Sequence, residues 1–460
     1  MRRAISEDPP AVTVRAMAPD GRAGWVILPN MKSDSSIRPS EALKSVRYDI
    51  RGRLAHRAHE LERQGYEIIS LNIGNPRAFG LRTPESMRLA MIENLAEAEG
   101  YCHQKGIFPA REAVVMQQQE RGVRGVTAEE VFIGNGVSEL IDLSLRALLN
   151  EDDEVLVPSP DYPLWTAAVT LNRGRAVHYP CRPENRFIPD PEELESLLTP
   201  RTRALIIINP NNPTGAVYPR NVLEAIARLA QQRGLVVFAD EIYDQMTYDG
   251  AQFVPMATLV HDTLCATLSG LSKVYRACGY RVGWAVFSGR TQLAAQYLQA
   301  LELLASLRLC SNVTAQWAVQ TALGGHQSVR ELVCVGGRLY ESRAAVLAAV
   351  QRSRFLTLAP PQGSMYAFVG VNPMVLTDFD DQRFALDLLE QKHVLIAPGV
   401  SFNVPYRNHF RITTLPDAAT LREVFRRIEE LLAGYVTRSH QLGARGAVAR
   451  NIMGSASRFK

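Results

Sequence analysis

The sequence predicts an α/β protein: a large domain on a mainly parallel sheet, followed by a smaller α+β domain. Three observations carry that prediction. Short apolar runs without alternation recur through the middle of the chain, helical stretches follow them, and the pattern changes character near residue 340. Strands covered on both faces read as continuous apolar runs, and strand-then-helix order makes them parallel.

The apolar runs fall at residues 131–133, 154–157, 204–208, 235–239 and 263–268. Helical patterning occupies 138–149, 220–233 and 292–307. From about 340 onward, shorter strands at 365–371, 394–397 and 409–413 mix with helices. The expected organisation is therefore a large domain over 79–335 and a small domain over 336–436, with the segment 41–78 joining the small one. Residues 1–40 hold scattered Pro, Gly, Ser and Arg without a sustained apolar period, which predicts disorder. Their arginines suggest a transit peptide, but Glu7, Asp8 and Asp20 argue against one. Met31 is an alternative start. The Gly-, Ser-, Ala- and Arg-rich stretch 437–460 is expected to be a flexible tail.

At 460 residues the chain exceeds one simple core. Fifty-one basic residues face 47 acidic ones, a net charge of +4. That balance argues against a nucleic-acid binder, which concentrates basic charge on one face. No apolar run approaches the roughly 20 residues that cross a bilayer, so a soluble, cytoplasmic protein is expected. The six cysteines form no C-x-x-C pair and suggest neither a metal site nor a disulfide framework.

Four segments carry chemistry, and their order matters more than any one alone. They are Asn209-Pro-Asn-Asn-Pro-Thr-Gly215, Phe238-Ala-Asp-Glu-Ile-Tyr243, Ser269-Gly-Leu-Ser-Lys273 and Gly279-Tyr-Arg-Val-Gly-Trp284. Each stands at or just after a predicted strand. Ligands of open α/β sheets bind beyond the carboxyl ends of the strands, so all four can converge on one crevice. Lys273 ends an apolar strand, where desolvation favours the neutral amine, the form that makes an imine with an aldehyde. An isolated string of this kind is more often an ordinary surface lysine. Asp240 also ends an apolar strand and needs a cationic partner there. A protonated pyridine nitrogen suits it, as does an ordinary buried salt bridge.

Together these segments resemble the fold-type I, class I/II aminotransferases that use pyridoxal 5'-phosphate. The resemblance runs from about residue 46 to 435. It is closest to the glutamate–pyruvate (alanine) aminotransferases, through Tyr48-Asp-Ile-Arg-Gly52, Leu71-Asn-Ile-Gly-Asn-Pro76, Gly134-Asn-Gly-Val-Ser-Glu139 and Val157-Pro-Ser-Pro-Asp-Tyr-Pro-Leu-Trp165. Gly336-Gly-Arg-Leu-Tyr340 and His409-Phe-Arg-Ile-Thr413 extend it. It implies a large domain with a sheet of the seven-stranded type and a homodimer with shared active sites.

The resemblance also implies roles. Lys273 would hold the cofactor as a Schiff base and shuttle the substrate's α-proton, and Asp240 would keep the pyridine nitrogen protonated. Asn212 and Tyr243 would bond the cofactor's phenolic oxygen, and Tyr162 would stack on the ring. Gly136, Val137 and Ser138 at a helix start, with Ser272 and Arg281, would receive the phosphate. Tyr101 would reach the phosphate of the neighbouring subunit. Arg411 would grip the substrate α-carboxylate, with Gly74, Tyr48 and Arg51 also near the substrate and Arg51 suited to a distal carboxylate.

Three departures stand out. Gly270 replaces a serine common among relatives three residues before the lysine, which puts one phosphate contact in doubt. Pro361-Gln-Gly-Ser-Met-Tyr366 carries Ser where close relatives have Ala. Phe368-Val-Gly-Val-Asn-Pro373 and Ala397-Pro-Gly-Val-Ser-Phe402 are atypical, so amino-acid preference can differ from alanine and glutamate. Other reactions at the amino acid's α- or β-carbon use the same scaffold, and so do specialised biosynthetic aminotransferases. A regulator that senses an amino acid would need a DNA-binding domain in front, for which the first forty residues are too few.

Overall fold

The computed structural model describes residues 13–17, 23–27, 37–46 and 52–456, with side chains described over 37–46 and 52–437. The chain divides into two compact units, Met1–Lys44 and Ser45–Lys460. In the first unit Thr13–Met17 pairs antiparallel with Ala23–Ile27. This hairpin lies in the stretch where composition predicts disorder. Val14, Trp25, Val26 and Ile27 supply the β-branched and aromatic residues that favour strands, in runs too short to register as a period.

The second unit is built on a seven-stranded sheet. From one edge its order is Val131–Gly134, Gly283–Gly289, Leu264–Gly270, Val236–Asp240, Thr202–Ile208, Glu154–Ser159 and Arg175–Pro180. Six strands run the same way, and Gly283–Gly289 runs against both of its neighbours. The strand Thr202–Ile208 shows why the apolar runs do not alternate. Leu205 and Ile207 enter one core, whereas Ala204, Ile206 and Ile208 enter another on the opposite face. A period of two then points every residue into apolar surroundings.

Two of the seven strands escape a reading by apolar runs. Arg175–Pro180 is an edge strand with a partly exposed, mixed face. Gly283–Gly289 lies directly behind a motif and is the reversed strand. Its reversal brings Gly283 beside both Gly134 and Gly270, at the carboxyl end of the parallel strands. Three glycines meet there because the chain has no room for side chains. A Cβ on Gly283 would lie 2.5 Å from the Val137 nitrogen, and one on Gly270 would lie 2.7 Å from the Val282 oxygen.

Helices cover both faces. Val137–Leu148 buries Leu140, Ile141, Leu143, Leu145 and Leu148 at helical spacing. Arg220–Arg233 ends at Gly234, whose φ of 63° forms the left-handed C-cap.

Further along, a four-stranded antiparallel sheet runs Leu356–Thr357, Tyr366–Val371, His409–Thr413 and Ala397–Pro398. Its core holds Phe384, Phe410, Ile412, Val424, Phe425 and Ile428. The run 394–397 is split in two. Val394–Leu395 leaves this sheet to pair in parallel with Ile69–Ser70, while Ala397–Pro398 stays. The last helix, Ala418–Ala456, continues past residue 437, where composition predicts a flexible tail. Side chains of this helix join the small core as far as Val436.

Replacing Ile206, fully buried between two strands, with alanine should destabilise the protein by about 2–5 kcal/mol, since the sheet cannot close over the cavity. Urea unfolding of the Ile206→Ala variant tests this, and a loss under roughly 1 kcal/mol would contradict so tight a core.

Candidate active site

The strands Thr202–Ile208, Val236–Asp240 and Leu264–Gly270 deliver their carboxyl ends to one cavity of about 1220 Å³. Gly74, Val137, Ser138, Tyr162, Asn212, Asp240, Tyr243, Ser272, Lys273, Arg281 and Arg411 all line it. These residues come from separate segments across more than 300 positions of sequence, and the convergence expected from strand ends is therefore real. Gly136 stands one residue behind Val137, as the N-cap of Val137–Leu148. Tyr101 lies outside the cavity and is 81% exposed. Tyr48 and Arg51 fall outside the described residues.

Lys273 follows the strand Leu264–Gly270, and its Nζ donates to the Gly74 carbonyl at 2.9 Å. Asp240 is the last residue of its strand and is buried. Its Oδ2 accepts from the indole Nε1 of Trp165 at 3.1 Å. Burial pushes the Asp240 carboxyl up to about 6, against the Trp165 bond, the Ile242 backbone and the charge of Lys273, which all favour the carboxylate. No described cation forms an ion pair with it, so the floor of the cavity carries a carboxylate suited to a positive group above it.

Tyr243 and Tyr366 lie edge to face, with centroids 6.0 Å apart and hydroxyls that hydrogen-bond. Burial raises Tyr243 well above an ordinary phenol. Burial pushes Tyr366 the same way, but the charges of Lys273 and Arg411 overcome it and its acidity is increased. A Cβ on Gly74 would sit 2.3 Å from the Tyr366 hydroxyl, which explains the glycine there.

Arg411 is the most buried cation among the described residues. It belongs to the strand His409–Thr413 and is 2% exposed. Its Nη1 donates to Asn212 Oδ1 at 2.9 Å, and its Nη2 donates to the Asn72 carbonyl. The rings of Tyr366 and Phe402 flank it at 4.2 and 4.7 Å. No described carboxylate pairs with it, and its Nε makes no hydrogen bond among the described residues. A buried guanidinium without a counter-ion is costly, and a small carboxylate entering the cavity relieves that cost.

At the other end of the cavity the helix Val137–Leu148 presents free backbone N–H groups. Gly136 has φ of 85°, and a Cβ there would lie 2.2 Å from Arg281 Nη2. Glycine thus lets the Arg281 guanidinium lie against the helix start, where it donates to Cys278 O at 2.8 Å and Asn135 O at 3.1 Å. The arrangement suits an oxyanion. Gly270 is required here by the contact with Val282 and Gly283.

Sequence reasoning gave no role to Trp165, Tyr366 or Asn72, although all three lie in motifs that it singled out. The signal for Trp165 was its place three residues after Tyr162, on the helical turn that faces Asp240. Asn72 acts through its backbone carbonyl, which no side-chain pattern reveals.

The family model "Aminotransferase class I and II" matches residues 66–428. The chain belongs to the class I and II aminotransferases. The chain is 46% identical to the glutamate-pyruvate aminotransferase AlaA of Escherichia coli K12, over 89% of this chain and all of that one. It is 43% identical to the alanine aminotransferase of Mycobacterium tuberculosis H37Rv, over 86% of this chain and 92% of that one. A crystal structure of an aminotransferase from E. coli superposes with a TM-score of 0.85 at 46% identity, covering 87% of this chain and 99% of that one. The protein is therefore an aminotransferase of fold type I, an enzyme that transfers an amino group between an amino acid and a 2-oxo acid. Members of this family use pyridoxal phosphate. The residues of this aminotransferase fit that group: a buried carboxylate awaiting a cation, a lysine, and an oxyanion-ready helix start line one cavity.

The raised Asp240 gives a test by pH. Its ionised form destabilises the fold, and that penalty is full above about pH 6 and shrinks as pH falls below it. Asp240→Asn should therefore stabilise the cofactor-free protein at pH 8 by at most about 3 kcal/mol. The advantage should shrink below pH 6 and vanish near the ordinary carboxylate value. Thermal unfolding across pH measures it, and a gain equal at pH 5 and pH 8 would exclude the buried charge as its source.

Proposed function

We propose that this aminotransferase moves the amino group between small L-amino acids of the alanine and glutamate type and 2-oxo acids of the pyruvate and 2-oxoglutarate type. The observation that carries this reading is Arg411, a buried cation without a carboxylate partner, in the same cavity as Lys273 and Asp240. The AlaA protein of E. coli and the alanine aminotransferase of M. tuberculosis support the substrate class.

Pyridoxal phosphate, when bound, supplies an aldehyde that condenses with amines and a protonated ring that draws electrons from the substrate's Cα. Lys273 would hold the cofactor through its aldehyde, and its Nζ, when free, would carry the proton off the substrate's Cα. Asp240 holds the proton on the ring nitrogen, and Trp165 fixes the carboxylate. Asn212 and Tyr243 would bond the phenolic oxygen, and Tyr162 would cover the ring face. Gly136, Val137, Ser138, Ser272 and Arg281 bind the phosphate through backbone N–H groups, a hydroxyl and a guanidinium. Arg411 orients the α-carboxylate so that the Cα proton faces Lys273. Gly74 keeps the wall low beside the substrate.

We further propose a homodimer in which Tyr101 enters the partner's site. Its exposure supports this, as does exposed Leu303 and Leu307 on one face of Ala295–Leu307. The pairing of Ile69–Ser70 with Val394–Leu395 supports a segment 41–78 that joins the small domain, 336–436, beside a large domain, 79–335. Among the described residues no helix is long and apolar enough to cross a membrane.

The cofactor-loaded protein should show a visible absorption band that alanine or glutamate discharges and pyruvate or 2-oxoglutarate restores. Lys273→Ala should reduce turnover by several orders of magnitude. Release of ammonia or carbon dioxide without return of the band would identify a lyase or decarboxylase instead. Undiminished turnover in Lys273→Ala would remove the lysine from the mechanism.

A further inference from the structure

The mechanism gives no task to one buried titratable side chain of the cavity, Tyr366. It opens the strand Tyr366–Val371, is 4% exposed and lines the same space as Lys273, Asp240 and Arg411. Three of its contacts reach residues that the mechanism does use. The Arg411 guanidinium lies over its ring, 4.2 Å from the centroid. Its hydroxyl hydrogen-bonds the Tyr243 hydroxyl, with the two rings 80° apart in plane. That hydroxyl also occupies the space a side chain at Gly74 would take, beside the carbonyl that receives Lys273 Nζ.

The four-stranded sheet sets this position. Tyr366 stands opposite Thr413 and is therefore the diagonal neighbour of Arg411, a separation that aromatic and long side chains bridge. Phenylalanine at 366 would keep the ring beneath Arg411, so the hydroxyl serves something else. Its one hydrogen-bond partner in the mechanism is Tyr243.

The direction of that bond matters. Lys273 and Arg411 make Tyr366 the more acidic phenol of the pair, so between the two alone Tyr243 donates. A hydroxyl gives one hydrogen bond and can receive two. Once Tyr243 gives its proton to the cofactor's phenolic oxygen, only Tyr366 can donate in the bond they share. The two phenols then form a chain that runs from Tyr366 through Tyr243 to the cofactor. Bonds in such a chain polarise one another, so the outer donor strengthens the inner one. We propose that Tyr366 is a positioning residue, which aims and strengthens Tyr243 toward the cofactor's phenolic oxygen through the bond between their hydroxyls. The inference rests on the reading given above, in which Tyr243 meets that oxygen.

The visible band of the loaded protein gives the readout, because the pH at which it changes follows the proton beside the phenolic oxygen. A hydrogen bond to the ionised oxygen favours the form without that proton and so lowers this pH. Tyr243→Phe should therefore raise the pH of the change, and Tyr366→Phe should raise it less, by roughly half a unit. In the Tyr243→Phe background, Tyr366→Phe should add nothing, because the residue it acts through is gone. A band unmoved by Tyr366→Phe, even with a raised KM for alanine, or an equal shift in both backgrounds, overturns the inference and leaves Tyr243 its role. A band unmoved by Tyr243→Phe overturns that role and the inference with it.

Discussion

The buried charge of Arg411 is the constraint around which the site is arranged. The strand His409–Thr413 carries it into the interior, where water cannot solvate it. The protein answers with neutral groups only: an amide oxygen from Asn212, a carbonyl from Asn72, and the faces of Tyr366 and Phe402. Those four come from the Asn-Pro motif after a large-sheet strand, the segment following Ile69–Ser70, and two stretches in and beside the four-stranded sheet. Satisfying one guanidinium therefore fixes the relation between regions far apart in sequence. Because none of the four is anionic, the site keeps its strongest affinity for a carboxylate that arrives from outside.

A second tie reinforces that meeting. Asp161, buried beside Tyr162, accepts from Asn403 Nδ2 at 2.9 Å and from Thr166 Oγ1 at 2.5 Å, and Ser159 Oγ donates to Asn403 O at 2.8 Å. Burial pushes the Asp161 carboxyl up to about 7, against those hydrogen bonds. The loop that carries Phe402 to Arg411 is thus pinned, one residue later, to the loop that carries Tyr162.

Much of this was legible in the sequence, for a physical reason. A strand buried on both faces leaves a continuous apolar run, so five of the seven strands could be read, whereas the mixed edge strand Arg175–Pro180 and the reversed strand Gly283–Gly289 behind its motif could not. Residues that act through their own side chains at strand ends, such as Lys273, Asp240 and Asn212, leave motifs. Asn72 and Gly74 lie in the quoted stretch Leu71–Pro76, but the backbone carbonyls by which they hold Arg411 and Lys273 cannot be read from side-chain types. The hairpin near the amino end was hidden by length, since five-residue strands carry too few positions to set a period. The Tyr48 and Arg51 expectations lie outside the described residues.

Glycine shows most clearly how sequence and chemistry are joined here. Gly134, Gly270 and Gly283 lie abreast where the reversed strand meets its neighbours, and Gly136 follows one turn away. Side chains at 270 and 283 would strike backbone, and one at 136 would strike the Arg281 guanidinium. Removing them lets the reversed strand close on the start of the helix Val137–Leu148, so that Arg281 and free N–H groups face the same space. The positive end of the cavity is therefore made by absence of side chains as much as by charge. With Arg411 at one end, Arg281 at the other and Asp240 beneath, the three charges define the orientation of whatever binds between them.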